Sequence, residues 1–413
     1  MTNLNSTPSA ERIHIGIFGR RNAGKSSLIN TVTGQNLAIV SDYKGTTTDP
    51  VYKAMELLPL GPITLIDTPG IDDEGELGAQ RVQQAYKVLQ KCDLALLVLD
   101  AATAITAEDK KLWQTLTERN IPSLLILNKA DKLSEMQQAL VTLEALKLTK
   151  NCLLVSAENG FNIDKLKENM ASLKPQEKAQ LLAEDLFQPL DTVILVTPID
   201  ESAPKGRLIL PQQLIIRNIL DNRGITLVVQ PQELAQALLK LTEPPRLIIT
   251  DSQVFGQVSR IVPPHIPLTS FSILMARYKG SLAQAVKAVR VLDTLKDGDK
   301  VLISEGCTHH RQCQDIGTVK MPGWVRNYCQ CEPEFVFSSG GDFPEDLTPY
   351  KLIIHCGACM LNEKAMQHRN KSAQQQNVPM TNYGIAIAYM HGILQRSVAP
   401  LPEIAKLLQP KLQ

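Results

Sequence analysis

Apolar and polar positions along the 413-residue chain divide it into three stretches. In the first, Ile13 to Phe18 alternates apolar side chains in the manner of a strand, and Ile63 to Ile66, Leu94 to Leu99, Ser123 to Leu127 and Leu153 to Val155 are short apolar runs. Runs of this kind are read as strands buried on both faces, as in a parallel sheet. Helical segments fall between them, at Ser27 to Thr33 and at residues 164 to 173. Lys174 to Glu184 is polar, contains Pro175 and reads as a linker.

In the second stretch, strand-like runs at Thr192 to Val196, Thr226 to Val229, Arg246 to Thr250 and Leu268 to Ser270 alternate with helical patterns at Pro211 to Leu220, Pro231 to Leu241 and Asp251 to Val258. Two of the helices open on Pro and the third on Asp-Ser, both common first-turn residues. Strand-helix alternation at this pitch predicts a second, small parallel sheet. In the third stretch a helical pattern from Tyr278 to Leu295 places Leu282, Val286, Val289 and Leu292 on one side. Strands follow at Val301 to Ile303 and Lys351 to Ile354. The expected fold class is α/β with three domains, over residues 1–173, 185–275 and 276–413.

Composition narrows the function classes. Lys and Arg number 43 against 42 Asp and Glu, and aromatics make up 4%, so nothing advertises a nucleic-acid partner. The longest apolar run is far short of the ~20 residues that span a bilayer. Met1 to Arg12 is polar and lacks the apolar core of a signal peptide, so a cytoplasmic protein with reduced thiols and no membrane partner is expected. Of eight cysteines, most lie between Cys307 and Cys359. In a reducing compartment that asymmetry points to a metal site.

The first strand runs into Gly19-Arg20-Arg21-Asn22-Ala23-Gly24-Lys25-Ser26, a phosphate-binding loop between a strand and a helix. Its glycines let successive N–H groups turn toward the phosphates, Lys25 reaches the β and γ oxygens, and Ser26 supplies a hydroxyl to Mg2+. Asp67-Thr68-Pro69-Gly70 follows the next strand; Asp67 would hold Mg2+ through water and the Gly70 amide would meet the γ-phosphate. Asn128-Lys129-Ala130-Asp131 offers a carboxylate to guanine N1–H and the 2-amino group, which adenine lacks, and Ser156-Ala157 suits guanine O6. Four such signals in order on strand ends specify GTP. The nucleotide-binding residues expected from these motifs are Gly19, Asn22, Ala23, Gly24, Lys25, Ser26, Ser27, Asp67, Gly70, Asn128, Lys129, Asp131, Ser156 and Ala157. Ile71 stands where a water-orienting Gln would sit, so slow hydrolysis is expected and no catalytic base is assigned.

These motifs resemble the translation-factor-related GTPases, and within them the tRNA-modification GTPases. The resemblance implies that Gly45-Thr46-Thr47-Thr48-Asp49 is the first switch, which adds Thr46 and Thr47 to the nucleotide-binding residues, with Thr47 on Mg2+. It also implies that Asn22 binds K+ beside the phosphates, where the cation would take the part of an arginine finger.

In the last stretch one strand ends in Glu305-Gly306-Cys307-Thr308-His309 and another in His355-Cys356-Gly357-Ala358-Cys359. Two parallel neighbours would bring these ends together. Three thiolates can hold three corners of a four-iron cluster, while Cys-x-His with His-Cys-x-x-Cys could equally build a tetrahedral zinc site; spacing alone does not choose. Cys313 and Cys329-Gln330-Cys331 are not assigned.

The order GTPase, α/β unit, then C-x-H and H-C-x-x-C after 45 residues resembles the FeFe-hydrogenase maturation GTPases over essentially the whole chain. That resemblance implies a 4Fe-4S cluster on Cys307, Cys356 and Cys359, with His309 or His355 as candidates for the fourth position. It further implies a scaffold or carrier that takes a two-iron precursor built with radical S-adenosylmethionine maturases and delivers it to the apo-hydrogenase. The middle α/β unit, residues 185–275, carries no nucleophile, metal cluster or phosphate loop, so it is expected to serve dimerisation, giving a homodimer or higher oligomer. The alternative from another class is an RNA-modification or ribosome-assembly GTPase with a structural zinc.

Overall fold

The computed structural model describes residues 7–34, 50–70, 75–174, 181–199, 208–306 and 315–408. It divides into two compact units, Met1–Glu177 and Lys178–Gln413. The first unit has one six-stranded sheet in the order β2-β3-β1-β4-β5-β6. Its strands are β1 (Ile13–Phe18), β2 (Val51–Leu57), β3 (Gly61–Asp67), β4 (Leu94–Asp100), β5 (Ser123–Asn128) and β6 (Cys152–Leu154). Only the β2–β3 pair is antiparallel. Helices cover both faces of the sheet, so Leu94 to Leu99 is buried on both sides and needs no polar alternation.

The second unit holds two four-stranded sheets. The first comprises β7 (Thr192–Val196), β8 (Ile225–Val229), β9 (Leu247–Thr250) and β10 (Leu268–Ser270), ordered β10-β9-β7-β8. The second comprises β11 (Lys300–Glu305), β12 (Glu334–Ser339), β13 (Leu352–His355) and β14 (Met380–Asn382), ordered β12-β11-β13-β14. All pairs in both are parallel. Numbered within its own sheet, each follows the same order: the second strand, the first, the third, the fourth.

This is an internal repeat that the apolar pattern did not expose. Pro267 to Leu282 aligns without a gap on Pro379 to Leu394, sharing Pro, Thr, Ile, Ala, Gly and Leu. The hydrogen bonds repeat with it. Ser270 caps the helix Phe271–Tyr278 at Ile273 N–H, as Asn382 caps Tyr383–Met390 at Ile385 N–H. Ser281 N–H donates to Ala276 O at 2.8 Å, and Ile393 N–H to Ala388 O at 2.9 Å. The tyrosine that was to open a long helix, Tyr278, instead ends one. Lys279 and Gly280, the latter at φ 71°, turn the chain into a separate helix, Leu282–Ala288.

Each repeat lends the other a helix. Leu282–Ala288 packs on β14 and Leu394–Val398 on β10. The two halves share one hydrophobic core, and matching helices meet where a Cβ added to Gly384 would lie 2.4 Å from the Cβ of Ser272. Gly384→Val should therefore destabilise this unit by ~1–3 kcal/mol through overpacking, read as a lower urea midpoint. Gly323→Ala, in a helix with open space around it, should be neutral or slightly stabilising in the same titration.

Candidate functional site

The nucleotide site of the first unit is built at the carboxyl ends of its parallel strands, where the sheet presents loops and helix N-termini. Gly19 has φ 145° and Gly24 φ 87°, conformations that side chains rarely adopt. A Cβ on Gly19 would lie 2.1 Å from Val98 O, and one on Gly24 2.3 Å from Asn128 Nδ2, so the loop is pressed against the neighbouring strand ends. Asn22 is left-handed at φ 59°. Lys25 is buried and its ammonium donates to Gly19 O and Arg20 O, both at 2.9 Å, closing the loop on itself.

Ser26 Oγ donates to Asp67 Oδ2 at 2.8 Å. Asp67 Oδ1 is buried with no hydrogen-bond partner, and burial raises the carboxyl above its ordinary range against the opposing pull of Ser26 and Lys25. A buried carboxylate oxygen without a partner, on a side chain that already accepts from a serine hydroxyl, suits a hard divalent cation such as Mg2+. Thr68 fixes this turn by donating to Ile17 O at 2.6 Å.

The base-recognition loops are tied to the phosphate loop. Asn128 donates to Ala23 O at 3.0 Å and accepts from Ala157 N–H at 3.1 Å, so one amide holds three stations in place. Lys129, left-handed at φ 67°, pairs with Asp100 Oδ2 at 2.7 Å. Ser156 Oγ donates to Asp131 Oδ1, fixing the carboxylate. Asp100 was missed in the sequence, although an Asp ending a buried strand beside Asn-Lys-x-Asp was a readable signal. Thr46, Thr47 and Ile71 lie outside the described residues.

In the second unit, β11 and β13 pair in parallel, and their ends carry the two cysteine motifs. Gly306 N–H donates to Cys356 Sγ at 3.1 Å, and Ala358 N–H approaches the same sulfur at 3.4 Å. Two amides on one sulfur are what a metal-bound thiolate accepts. Gly306, which directly precedes Cys307 in the sequence, therefore abuts Cys356. Cys307 and His309 themselves lie outside the described residues. Burial raises the Cys359 thiol above its usual range, opposed in part by Lys279. Among the described residues no group of three His, Cys, Asp or Glu is arranged to hold a metal ion.

His355 departs from the expectation of a candidate ligand. It is fully buried; its Nδ1 lies 2.9 Å from Cys356 O, and its Nε2 2.8 Å from Arg369 Nη1. The ring therefore donates from Nδ1 and accepts at Nε2, which leaves no lone pair for iron. Burial and then the guanidinium push its pKa down to about 3, so the ring is neutral. Arg369 also reaches Ser304 Oγ at 3.3 Å and Gly340 O, bracing the ends of β11, β12 and β13. Nothing in the sequence marked Arg369: a single Arg within a polar helix carries no signal of burial.

By fold and site, then, the first unit is a P-loop GTPase domain. Comparison with known proteins places the whole chain. The model for the 50S ribosome-binding GTPase family matches residues 14–129, that for the Hydrogen maturase F dimerization domain residues 182–280, and that for the Hydrogen maturase F tetramerization domain residues 283–400. The chain belongs to the hydrogen maturase F family, and it carries that family's dimerization and tetramerization domains beside its GTPase domain.

Over the GTPase domain it is 37% identical to the tRNA modification GTPase MnmE of Streptococcus pneumoniae, covering 40% of this chain and 34% of that one. It is 36% identical to GTPase Der of Wolinella succinogenes, over 38% of this chain and 35% of that one. The chain thus spans about a third of the length of these relatives. Among solved structures it is similar to Aquifex aeolicus Era bound to GDP and AlF4−, 20% identical with a TM-score of 0.37 over 60% of this chain and 97% of that one. No helix among the described residues is long and apolar enough to cross a membrane.

The geometry predicts a base switch. In Asp131→Asn a carboxylate able to accept from guanine becomes an amide that can donate. GTP affinity should fall on the order of 10- to 100-fold, while xanthosine triphosphate, with a carbonyl at the same ring position, should gain. Fluorescent-nucleotide titration checks both.

Proposed function

We propose that this protein is a GTP-hydrolysing scaffold and carrier in the assembly of the FeFe-hydrogenase active site. On this reading Cys307, Cys356 and Cys359 hold a 4Fe-4S cluster, and a two-iron precursor passes through the protein from radical S-adenosylmethionine maturases to the apo-hydrogenase. The observation that carries it is the Gly306–Cys356 contact, which joins the two cysteine-bearing strand ends in a chain of the hydrogen maturase F family. The cluster, when bound, supplies an iron site to which cargo can attach. The protein supplies thiolates, amide donors to Cys356, and the brace of Arg369 and His355. With His355 engaged in that brace, three thiolates leave one position exchangeable, which favours release.

In the GTPase domain, Mg2+ would be held by Ser26 and Thr47, with Asp67 behind them. Lys25 exchanges its two carbonyl partners for phosphate oxygens when GTP enters. Asn22 takes K+ beside the phosphates, neutralising charge that grows during cleavage. The first switch, ordered by triphosphate, then biases contacts with partner proteins.

Two measurements test this. Steady-state phosphate release in equimolar KCl and NaCl should be faster in KCl; equal rates refute the K+ site. Mixing the precursor-loaded chain with apo-hydrogenase should start hydrogen evolution, and Cys356→Ser should abolish it. Undiminished activation by that variant would refute the carrier role of the cysteine site.

A further inference from the structure

Cys329 and Cys331 belong to neither site. Cys329 ends the helix Met321–Cys329, Gln330 turns the chain at φ 52°, and Cys331 leads into β12, the edge strand of its sheet. The turn brings Cys331 Sγ to 2.9 Å from Cys329 Sγ, within about 0.9 Å of a disulfide's bonded separation. Both are free thiols, half-buried and reachable from solvent. The turn is also well anchored: Glu332 N–H donates to Asp297 Oδ1 at 2.8 Å, and Arg326 pairs with Glu332 at 2.8 Å. The fold itself thus holds the two sulfurs side by side.

We infer that Cys329 and Cys331 form a dithiol that closes into an intramolecular disulfide by exchange with an external disulfide of the glutathione type. The order of attack follows from the geometry. Cys331 donates its S–H to Cys329 Sγ, and burial, Cys329 and the nearby Asp297 and Asp299 push its pKa up to about 12, so Cys329 attacks first. Its thiolate bonds one sulfur of the external disulfide, whose S–S bond breaks; the departing thiolate takes up the proton Cys329 released. Cys331 then loses its proton, attacks Cys329 Sγ and expels the second external thiol, which takes up that proton. The pair is oxidised by two electrons and the external disulfide is reduced to two thiols. The new bond pins the carboxyl end of the helix Met321–Cys329 to the segment that leads into β12.

The test uses the full-length chain in anaerobic glutathione buffers, quenched with acid, alkylated with N-ethylmaleimide and cut with trypsin. Cleavage after Arg326 and Lys351 yields a peptide whose only cysteines are these two, so iron loading elsewhere does not enter the readout. As oxidised glutathione rises, the doubly alkylated peptide should give way to an unalkylated one two hydrogens lighter than the free dithiol peptide, and dithiothreitol should reverse this. Cys331→Ser should instead accumulate a glutathione adduct on Cys329, and Cys329→Ser should form its adduct roughly tenfold more slowly. A peptide that stays doubly alkylated at every ratio, or that carries glutathione on both sulfurs without the internal bond, overturns the inference.

Discussion

The chemistry of the second unit depends on the parallel pairing of β11 with β13. Their register sets Ser304 beside His355, so the chains leave the sheet side by side and Gly306 N–H meets Cys356 Sγ. A parallel pair is necessary here, since an antiparallel one would send the two motifs to opposite edges of the sheet. The cost of this arrangement is a buried imidazole beside a half-buried sulfur, and Arg369 offsets it by linking His355, Ser304 and Gly340 in one network.

The GTPase site was legible because its chemistry is local. Each station is a run of four to eight residues on a strand end, and Gly19, Gly24, Lys25 and Asp67 serve for reasons that hold without knowledge of the rest of the fold. Asn128 shows the limit: its motif could be read, but its bridge between Ala23 and Ala157 depends on how the loops meet. His355 shows the same limit: a histidine beside two cysteines reads as a candidate ligand, and its contact with the buried Arg369 depends on how strand and helix meet.

The repeat is another case. Six of the eight strands of the second unit are readable as short apolar runs; Glu334–Ser339 and Met380–Asn382 are not, and the shared topology appears only once the strand orders are compared. The signal was present in Pro267-Leu-Thr-Ser-Phe and Pro379-Met-Thr-Asn-Tyr, separated by a stretch in which the halves diverge. Position by position, Asp251 of the first half stands where Cys356 stands in the second, with the same backbone bond: Asp251 N–H to Val196 O and Cys356 N–H to Ser304 O. One fold thus serves two ends, and cysteine chemistry is grafted onto one copy. The helix exchange between copies explains why the dimerization and tetramerization regions fold as a single unit.

The central claim is that the ends of β11 and β13 together form a thiolate site for an iron–sulfur cluster. Anaerobic purification, metal analysis and EPR after dithionite reduction address it most directly. The account predicts iron with acid-labile sulfide and the signal of a reduced 4Fe-4S cluster, both lost in Cys356→Ser. Stoichiometric zinc with neither iron nor a reduced-cluster signal would contradict it.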